Sequence, residues 1–213
     1  NMECIFLLET QHSDQRFRLQ NVAMVSGTLH NSFVAFLRNG DVTTWGEISV
    51  PWETFANLGK ATPLEVWTNE NSVVALYRDE RVVVWGMMGF MKTMFFEELC
   101  PGQVSSDLVK VVTTHCAFCF VFKNGVVRSW GSFSHGGGFQ SSFNDCFADV
   151  FSNSRAFAGL TVQGQVFSWG DCTSGGSSLG DLYQTGVVVK LVATASCFAA
   201  LNTSGECYLW GGC

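Results

Sequence analysis

This sequence of 213 residues contains few charged residues. Charged residues make up 14% of the chain, against about 25% in an average soluble domain. Acidic residues outnumber basic ones by 18 to 12, the formal net charge is −6, and there is no basic run. A nucleic-acid interface needs a positive footprint, so the composition argues against nucleic acid as a partner. A charge-poor surface also favours a chain that protein partners cover.

Long apolar runs are missing as well. The longest, CAFCFVF at 116–122, is far shorter than the roughly 18 residues of a membrane-spanning helix. The N-terminal residues lack the positive region of a secretory signal. The nine cysteines are odd in number and do not follow a repeat, so they do not indicate a disulfide framework. These features predict free thiols in a reducing compartment and no membrane span.

The sequence does have a strong internal repeat, because a Trp-Gly pair closes each of five similar segments. Their tryptophans lie 40, 45, 39 and 41 residues apart: Trp45, Trp85, Trp130, Trp169 and Trp210. A period in this range is typical of stacked or radially arranged units. We therefore expect one domain over 1–213. Its units end near Gly46, Gly86, Gly131, Gly170 and Gly211.

Each unit reads as a hairpin between two β-prone runs. Four units have a turn glycine five residues before the tryptophan: Gly40, Gly125, Gly164 and Gly205. Glycine supplies the positive φ that tight hairpin turns need. The second unit has Glu80 at this position, in RDER, which predicts a different or strained turn. Three or four short strands per unit predict an all-β chain, a β-propeller. A helical solenoid is the alternative, and Val, Phe and Gly disfavour it.

The repeat, as in FAALNTSGECYLWG at 198–211, resembles that of the regulator of chromosome condensation family. The period of about 40 residues is similar to the compact variant found in a secreted propeller-type beta-lactamase inhibitor. The resemblance covers all five units and implies a propeller, commonly of seven blades. None of the segments after Trp-Gly carries the Asn and Gly-Gln-Leu-Gly typical of the family. The exchange-factor activity of its founding member is therefore not transferred to any residue. A strand over 3–9, which contains CIFLLE, would close the ring by pairing with the last unit; an open arc is the other arrangement.

Large apolar residues crowd two of the segments that follow Trp-Gly. MMGFMKTMFF at 87–96 carries more of them than a short loop buries. Met-rich and exposed apolar surfaces are typical of adaptable protein interfaces, and ordinary core packing is the alternative. The candidate interface consists of Trp52, Phe55, Met87, Met88, Phe90, Met91, Met94, Phe95 and Phe96.

No catalytic, cofactor-binding or metal-binding residue is predicted. In HCAFC at 115–119, strand alternation would point Cys116 and Cys119 to opposite sides, and a zinc site would need a second ligand pair. HGGG at 135–138 occurs in esterase oxyanion holes, but the Gly-x-Ser-x-Gly partner motif is missing. Asn202 matches a glycosylation acceptor, which the cysteine pattern disfavours. SGGSS at 174–178 lacks the lysine of a phosphate-binding loop.

These observations predict a non-catalytic propeller scaffold, an accessory or assembly subunit of a large protein complex. An intracellular, organellar location is favoured over a cytosolic one, with the chain peripheral to a photosynthetic or respiratory membrane complex. The alternative is a regulatory binding module, a GTPase exchange factor or enzyme inhibitor that acts through one propeller face.

Overall fold

The computed structural model describes residues 21–27, 33–45, 61–70, 72–86, 91–141, 146–176 and 186–213. These residues form five antiparallel sheets with a single four-residue helix, and the fold is of the β-propeller type. The predicted strand over 3–9 lies outside the described residues. So do five residues of the candidate interface, namely Trp52, Phe55, Met87, Met88 and Phe90.

Each sheet is built from strands that are consecutive in the chain. Sheet 1 contains β1 (Val22–Gly27), β2 (Phe33–Leu37) and β3 (Val42–Trp45). Sheet 2 contains β4 (Glu65–Thr68), β5 (Ser72–Leu76), β6 (Arg81–Gly86) and β7 (Met91–Phe95), and helix α1 (Phe96–Leu99) follows it.

The last three sheets have three strands each. Sheet 3 contains β8 (Leu108–Thr113), β9 (Ala117–Phe122) and β10 (Val127–Gly131). Sheet 4 contains β11 (Phe147–Ser152), β12 (Ala156–Thr161) and β13 (Val166–Gly170). Sheet 5 contains β14 (Val188–Ala193), β15 (Cys197–Asn202) and β16 (Cys207–Gly211).

The hairpin turns explain why one position of the repeat favours glycine. Gly40, Gly125, Gly164 and Gly205 have φ between +75° and +87°, where a side chain is strained. Glu80, in the second unit, has φ +62°. The predicted strained turn is therefore confirmed: the RDER turn keeps the left-handed geometry without the residue that adopts it freely.

Two faces can be distinguished on each sheet. Each sheet carries one of the five repeat tryptophans, which we call its anchor. We call the side of the sheet that carries the anchor tryptophan the Trp face and the other side the reverse face. Between sheets 4 and 5, Ala156 and Ala158 of one reverse face share a buried cluster with Phe198 and Trp210 of the next Trp face. The same arrangement joins sheets 1 and 2, 2 and 3, and 3 and 4. The hydrophobic core thus lies between sheets, because no sheet buries both of its own faces.

The loops that follow Trp-Gly fix the spacing between neighbouring sheets. A Cβ at Gly136 would lie 2.5 Å from the Phe157 ring, and one at Gly175 would lie 2.9 Å from Trp210. Trp210 also donates a hydrogen bond from Nε1 to the Gly175 carbonyl, at 3.2 Å. Each of these loops therefore covers the aromatic pair of the following sheet.

The two ends of the array are less well covered. Position 12 before each anchor is a buried Val or Phe in sheets 2 to 5, whereas Phe33 in sheet 1 is 53% exposed. On the reverse face of sheet 5, Leu209 is 66% exposed and Val192 is 45% exposed. A reverse face in sheet 5 that was packed on sheet 1 would be buried. The described sheets therefore form an arc whose last face is open.

One expectation about the cysteines is wrong. Cys197 and Cys213 form a disulfide, with their Cα atoms 5.5 Å apart, so these two are not free thiols. Cys100 and Cys119 are buried thiols, and burial raises the pKa of both, to about 12 for Cys100. No helix in the described part of the chain is both long and apolar enough to span a bilayer.

Candidate interaction surface

A set of turn residues, not recognised in the sequence, organises one end of the arc. Sixteen residues before each anchor of sheets 2 to 5, a short polar side chain caps the turn between the first two strands. Asn69, Thr114, Asn153 and Thr194 each accept a hydrogen bond from the backbone N–H three residues later, at 2.8–3.1 Å. This is the capping chemistry that Asn and Thr provide in tight turns.

The same turns join neighbouring sheets. His115 donates its backbone N–H to the Ser154 carbonyl at 2.9 Å, and Ser154 donates to the Ala195 carbonyl at 3.1 Å. The His115 ring Nδ1 lies 2.7 Å from a carboxylate oxygen of Glu70. Because Glu70, His115, Ser154 and Ala195 occupy one position of the repeat, this end of the arc is a continuous, bonded row of turns.

The loops after Trp-Gly fold onto these turns. Thr114 donates its hydroxyl to the His135 carbonyl at 2.9 Å. Asn153 donates its side-chain amide to the Ser174 carbonyl at 2.7 Å. In sheets 3 and 4 the turn and the loop are therefore held together, which brings residues from distant parts of the repeat onto one surface.

We call this surface the loop face: Glu70, His115, Phe133, His135, Arg155 and Asp171. Arg155 and Asp171 form an ion pair at 3.2 Å. Hydrogen bonds donated by Thr173 hold the pKa of Asp171 below its ordinary value. Partial burial, helped by the Arg155 guanidinium, lowers the pKa of His135, so its imidazole is neutral at pH 7.

An exposed aromatic ring lies in the same loop. Phe133 is 83% exposed, and its ring rests against Gly138, where a Cβ would have no room. Exposed aromatic and arginine side chains, both present on the loop face, are enriched at protein-interface hot spots. The local sequence offers one weak signal for it: Phe133 is an apolar residue among Ser, His and Gly.

Catalysis by an oxyanion hole at this loop is disfavoured by its hydrogen bonds. Ser134 Oγ lies 3.0 Å from His135 Nδ1, a pair that occurs in nucleophilic catalysis. However, the backbone N–H groups of Gly136, Gly137 and Gly138 donate to the carbonyls of Phe133, Ser132 and Ser129. These N–H groups are used within the loop, so they cannot stabilise an oxyanion.

The other motifs also lie in structural surroundings. In the part of the chain that the structure describes, no three His, Cys, Asp or Glu side chains come close enough to hold a metal ion. Asn202 is buried, and its side chain bonds Glu206 and the backbone of Ser204. A buried, engaged amide is not accessible for glycosylation.

Within the described part of the predicted Met- and Phe-rich interface, some residues are buried and others are not. Met94 and Phe96 lie in the core between sheets 2 and 3, so they are not surface residues and do not belong to an interface. Phe95 is 56% exposed, and Met91 belongs to β7. Alternation along β7 and the packing of α1 account for the two buried residues.

Comparison with known proteins supports the fold alone. No protein-family model matches the chain, and no curated protein matches it in sequence. Human WBSCR16 matches with a TM-score of 0.52 and 12% identity, covering 96% of this chain and 69% of that one. The CRINKLY WD40 ectodomain of the Arabidopsis thaliana receptor kinase ACR4 matches with a TM-score of 0.50 and 14% identity, covering 89% and 71%. Yeast RCC1 (Prp20), solved with Kap60 bound, has a TM-score of 0.47 at 14% identity, covering 92% and 59%.

Proposed function

We propose that this chain is a non-catalytic propeller scaffold, an accessory or assembly subunit that binds another protein through its loop face. The observation that carries the proposal is Phe133, a largely exposed ring held on a rigid loop. Its turn also contains His135, whose pKa the Arg155 guanidinium lowers, and Arg155 in turn pairs with Asp171. The regulator of chromosome condensation family, whose repeat this sequence resembles, is the family to which we assign it.

The low charge of the whole chain supports the same proposal. With 14% charged residues, an isolated protein would be poorly solvated. We further propose that the complex is large and organellar, with the chain peripheral to a membrane assembly. Phe95, together with the residues around it in the chain, would add a second contact.

The test is a comparison of native masses in a gentle detergent extract. Wild type is expected to co-purify with a partner in constant stoichiometry, and Phe133→Ala is expected to lose it. Truncating an interface anchor costs about 2 kcal/mol or more, roughly a thirtyfold weaker complex. Val162→Ala is the matched control, because Val162 is 63% exposed and lies outside the loop face.

Migration of wild type without any other protein would overturn the proposal of a stable subunit. Loss of the partner in both variants, or in neither, would remove the loop face as the contact. A partner that binds and dissociates quickly, and whose enzyme or nucleotide-exchange activity changes on binding, would favour the regulatory binding module instead.

A further inference from the structure

A cavity opens beside the hairpin turn of the second unit, the turn that departs from the repeat. Its volume is about 550 Å³, within the range of small-molecule sites. Two short segments line it, residues 61–64 before β4 and residues 77–79 of the turn together with Arg81. The Tyr77 backbone N–H donates to the Arg81 carbonyl at 2.8 Å, so the turn that forms one wall is closed by a backbone hydrogen bond.

One polar group at this cavity is buried without a partner. Tyr77 is 2% exposed, and its ring packs in the apolar cluster between sheets 1 and 2. Within the residues that the structure describes, its hydroxyl forms no hydrogen bond. Burial raises the pKa of Tyr77 to about 12, and the charges of Arg81 and Asp79 also act on the hydroxyl. Because both of those side chains line the cavity, the hydroxyl lies at the cavity and is a protonated donor there at neutral pH.

The other units show that the fold does not need this hydroxyl. Position 8 before the anchor is Leu37 in sheet 1 and Phe122 in sheet 3, both buried and apolar. In sheets 4 and 5 it is Thr161 and Asn202, whose side-chain oxygens accept hydrogen bonds from the backbone of their own turns. Among these five described positions, Tyr77 is the polar residue that does not bond its own turn. Buried polar groups without a partner are rare, so this hydroxyl indicates a missing ligand.

The lining of the cavity also carries a net positive charge. Arg78 and Arg81 are cations and Asp79 is an anion, which leaves one positive charge in excess. Arg81 Nε lies 2.6 Å from a carboxylate oxygen of Asp79, so these two side chains neutralise each other. The guanidinium of the exposed Arg78 supplies the remaining charge, and guanidinium groups bind carboxylates through paired N–H donors.

We infer that this cavity binds a small organic acid, whose carboxylate lies between the Arg78 guanidinium and the Tyr77 hydroxyl. One carboxylate balances the excess charge of the lining, whereas a phosphate ester would bring a second negative charge without a cation to balance it. The rest of the molecule would pack on the apolar side chains of the first segment, Ala61, Pro63 and Leu64. A closely bounded lining from two short segments suits a small molecule better than an extended peptide.

The test is a titration of the purified full chain with phenylacetate, monitored by heteronuclear NMR. A ligand of this size is expected to bind with a Kd of about 1 mM. Phenylacetamide has the same shape without the charge and is expected to bind at least about tenfold more weakly. Inorganic phosphate, an anion without an apolar part, is expected to displace phenylacetate only at a large excess.

Two substitutions and a matched control locate the site. Tyr77→Phe removes the hydroxyl alone and is expected to weaken phenylacetate binding about tenfold. Arg78→Gln removes the cation and is expected to weaken binding at least about threefold. Arg38→Gln removes a cation at the same repeat position in sheet 1, outside the cavity lining, and is expected to bind phenylacetate as wild type does.

Thermal melts separate binding from folding. Tyr77→Phe is expected to melt no lower than wild type, because it removes a buried hydroxyl that has no partner in the described chain. A lower melting temperature would show that the fold uses the hydroxyl and would overturn the inference. Binding that does not saturate, equal Kd values for the acid and the amide, or wild-type affinity in Tyr77→Phe or Arg78→Gln would also overturn it.

This site and the loop face can fail independently. Strands β5 and β6 separate the turn at Tyr77 from Glu70 on the loop face. Phe133→Ala is therefore expected to bind phenylacetate as wild type does, even where it loses a protein partner.

Discussion

At the scale of single residues, the chain departs from its own repeat at one turn. Four units use glycine at the left-handed position, and the second uses Glu80 at φ +62°. The left-handed conformation costs a side chain about 1–2 kcal/mol. The Glu80 carboxylate recovers part of this by accepting a hydrogen bond from Ser105 Oγ at 2.5 Å. The turn is therefore a place where stability can be raised.

Glu80→Gly is expected to raise the free energy of unfolding by about 0.5–1 kcal/mol, because relief of the strained φ exceeds the added entropy of the unfolded chain. The melting temperature should rise by about 2 °C. Glu80→Ala is the control, since alanine keeps the strain and loses the bond to Ser105. An equal gain in both variants would show that the backbone is not the cause.

His135 supplies a prediction on pH. Its pKa is lower in the folded chain than in the unfolded chain because of burial and Arg155. The unfolded chain therefore binds more protons as pH falls through about 6.5, the ordinary value of histidine, and stability is lost in that window. His135→Asn is expected to flatten the fall in unfolding free energy between about pH 7 and 5. A curve that is parallel to wild type would contradict this.

At the scale of elements, the polar caps hold the sheets in register with their loops. Asn153 is buried and accepts from the backbone N–H of Arg155 and Ala156 while it donates to the Ser174 carbonyl. Thr194 occupies the same position of the repeat and caps its turn at an exposed site. The side chain at this one repeat position is therefore expected to contribute differently to the free energy of unfolding in different sheets.

Asn153→Ala is expected to lower the unfolding free energy by about 2–4 kcal/mol, because two backbone N–H groups and one carbonyl lose their partner in a buried site. Thr194→Ala removes the bond from the Cys197 N–H and a longer one to the Cys197 carbonyl, both near solvent, and should cost about 0.5–1 kcal/mol. Urea unfolding of both variants measures the difference. Equal losses would mean that the bond to the loop contributes nothing.

At the scale of the whole molecule, stability comes from contacts between sheets, and a residue's position in the arc decides its contribution. Phe157 is fully buried and stacks on Trp169, with ring centroids 5.6 Å apart. Phe33 occupies the same repeat position in sheet 1, where more than half of it faces solvent. Comparing the stability lost on the same substitution at these two sites therefore shows whether sheet 1 is covered in solution.

Phe157→Ala is expected to cost about 3–5 kcal/mol by leaving a cavity between sheets 3 and 4. Phe33→Ala should cost about 1 kcal/mol, because much of that ring is already exposed. Chemical denaturation of the two variants gives the comparison. A loss at Phe33 as large as that at Phe157 would show that another surface covers sheet 1 in solution.

Local chemistry was enough for the sequence to determine the all-β class, the hairpins and the turn positions. Turn geometry is decided over a few residues, so the glycine position and its exception at Glu80 could be read directly. Alternation and period likewise predicted five units. The polar caps could also have been found this way, because Asn69, Thr114, Asn153 and Thr194 recur at one spacing.

Only the tertiary structure decided what each apolar side chain faces. Met94, Phe95 and Phe96 are adjacent in the chain, yet only the middle one is exposed, because sheet 3 packs on the other two. Likewise, Leu209 is exposed and its equivalent in sheet 4, Ser168, is buried, because sheet 5 packs on the reverse face of sheet 4 and no described sheet packs on that of sheet 5. The loop face brings His135, from the loop after sheet 3, close enough to Arg155 of sheet 4 for its charge to lower the histidine's pKa, a proximity that no local pattern encodes.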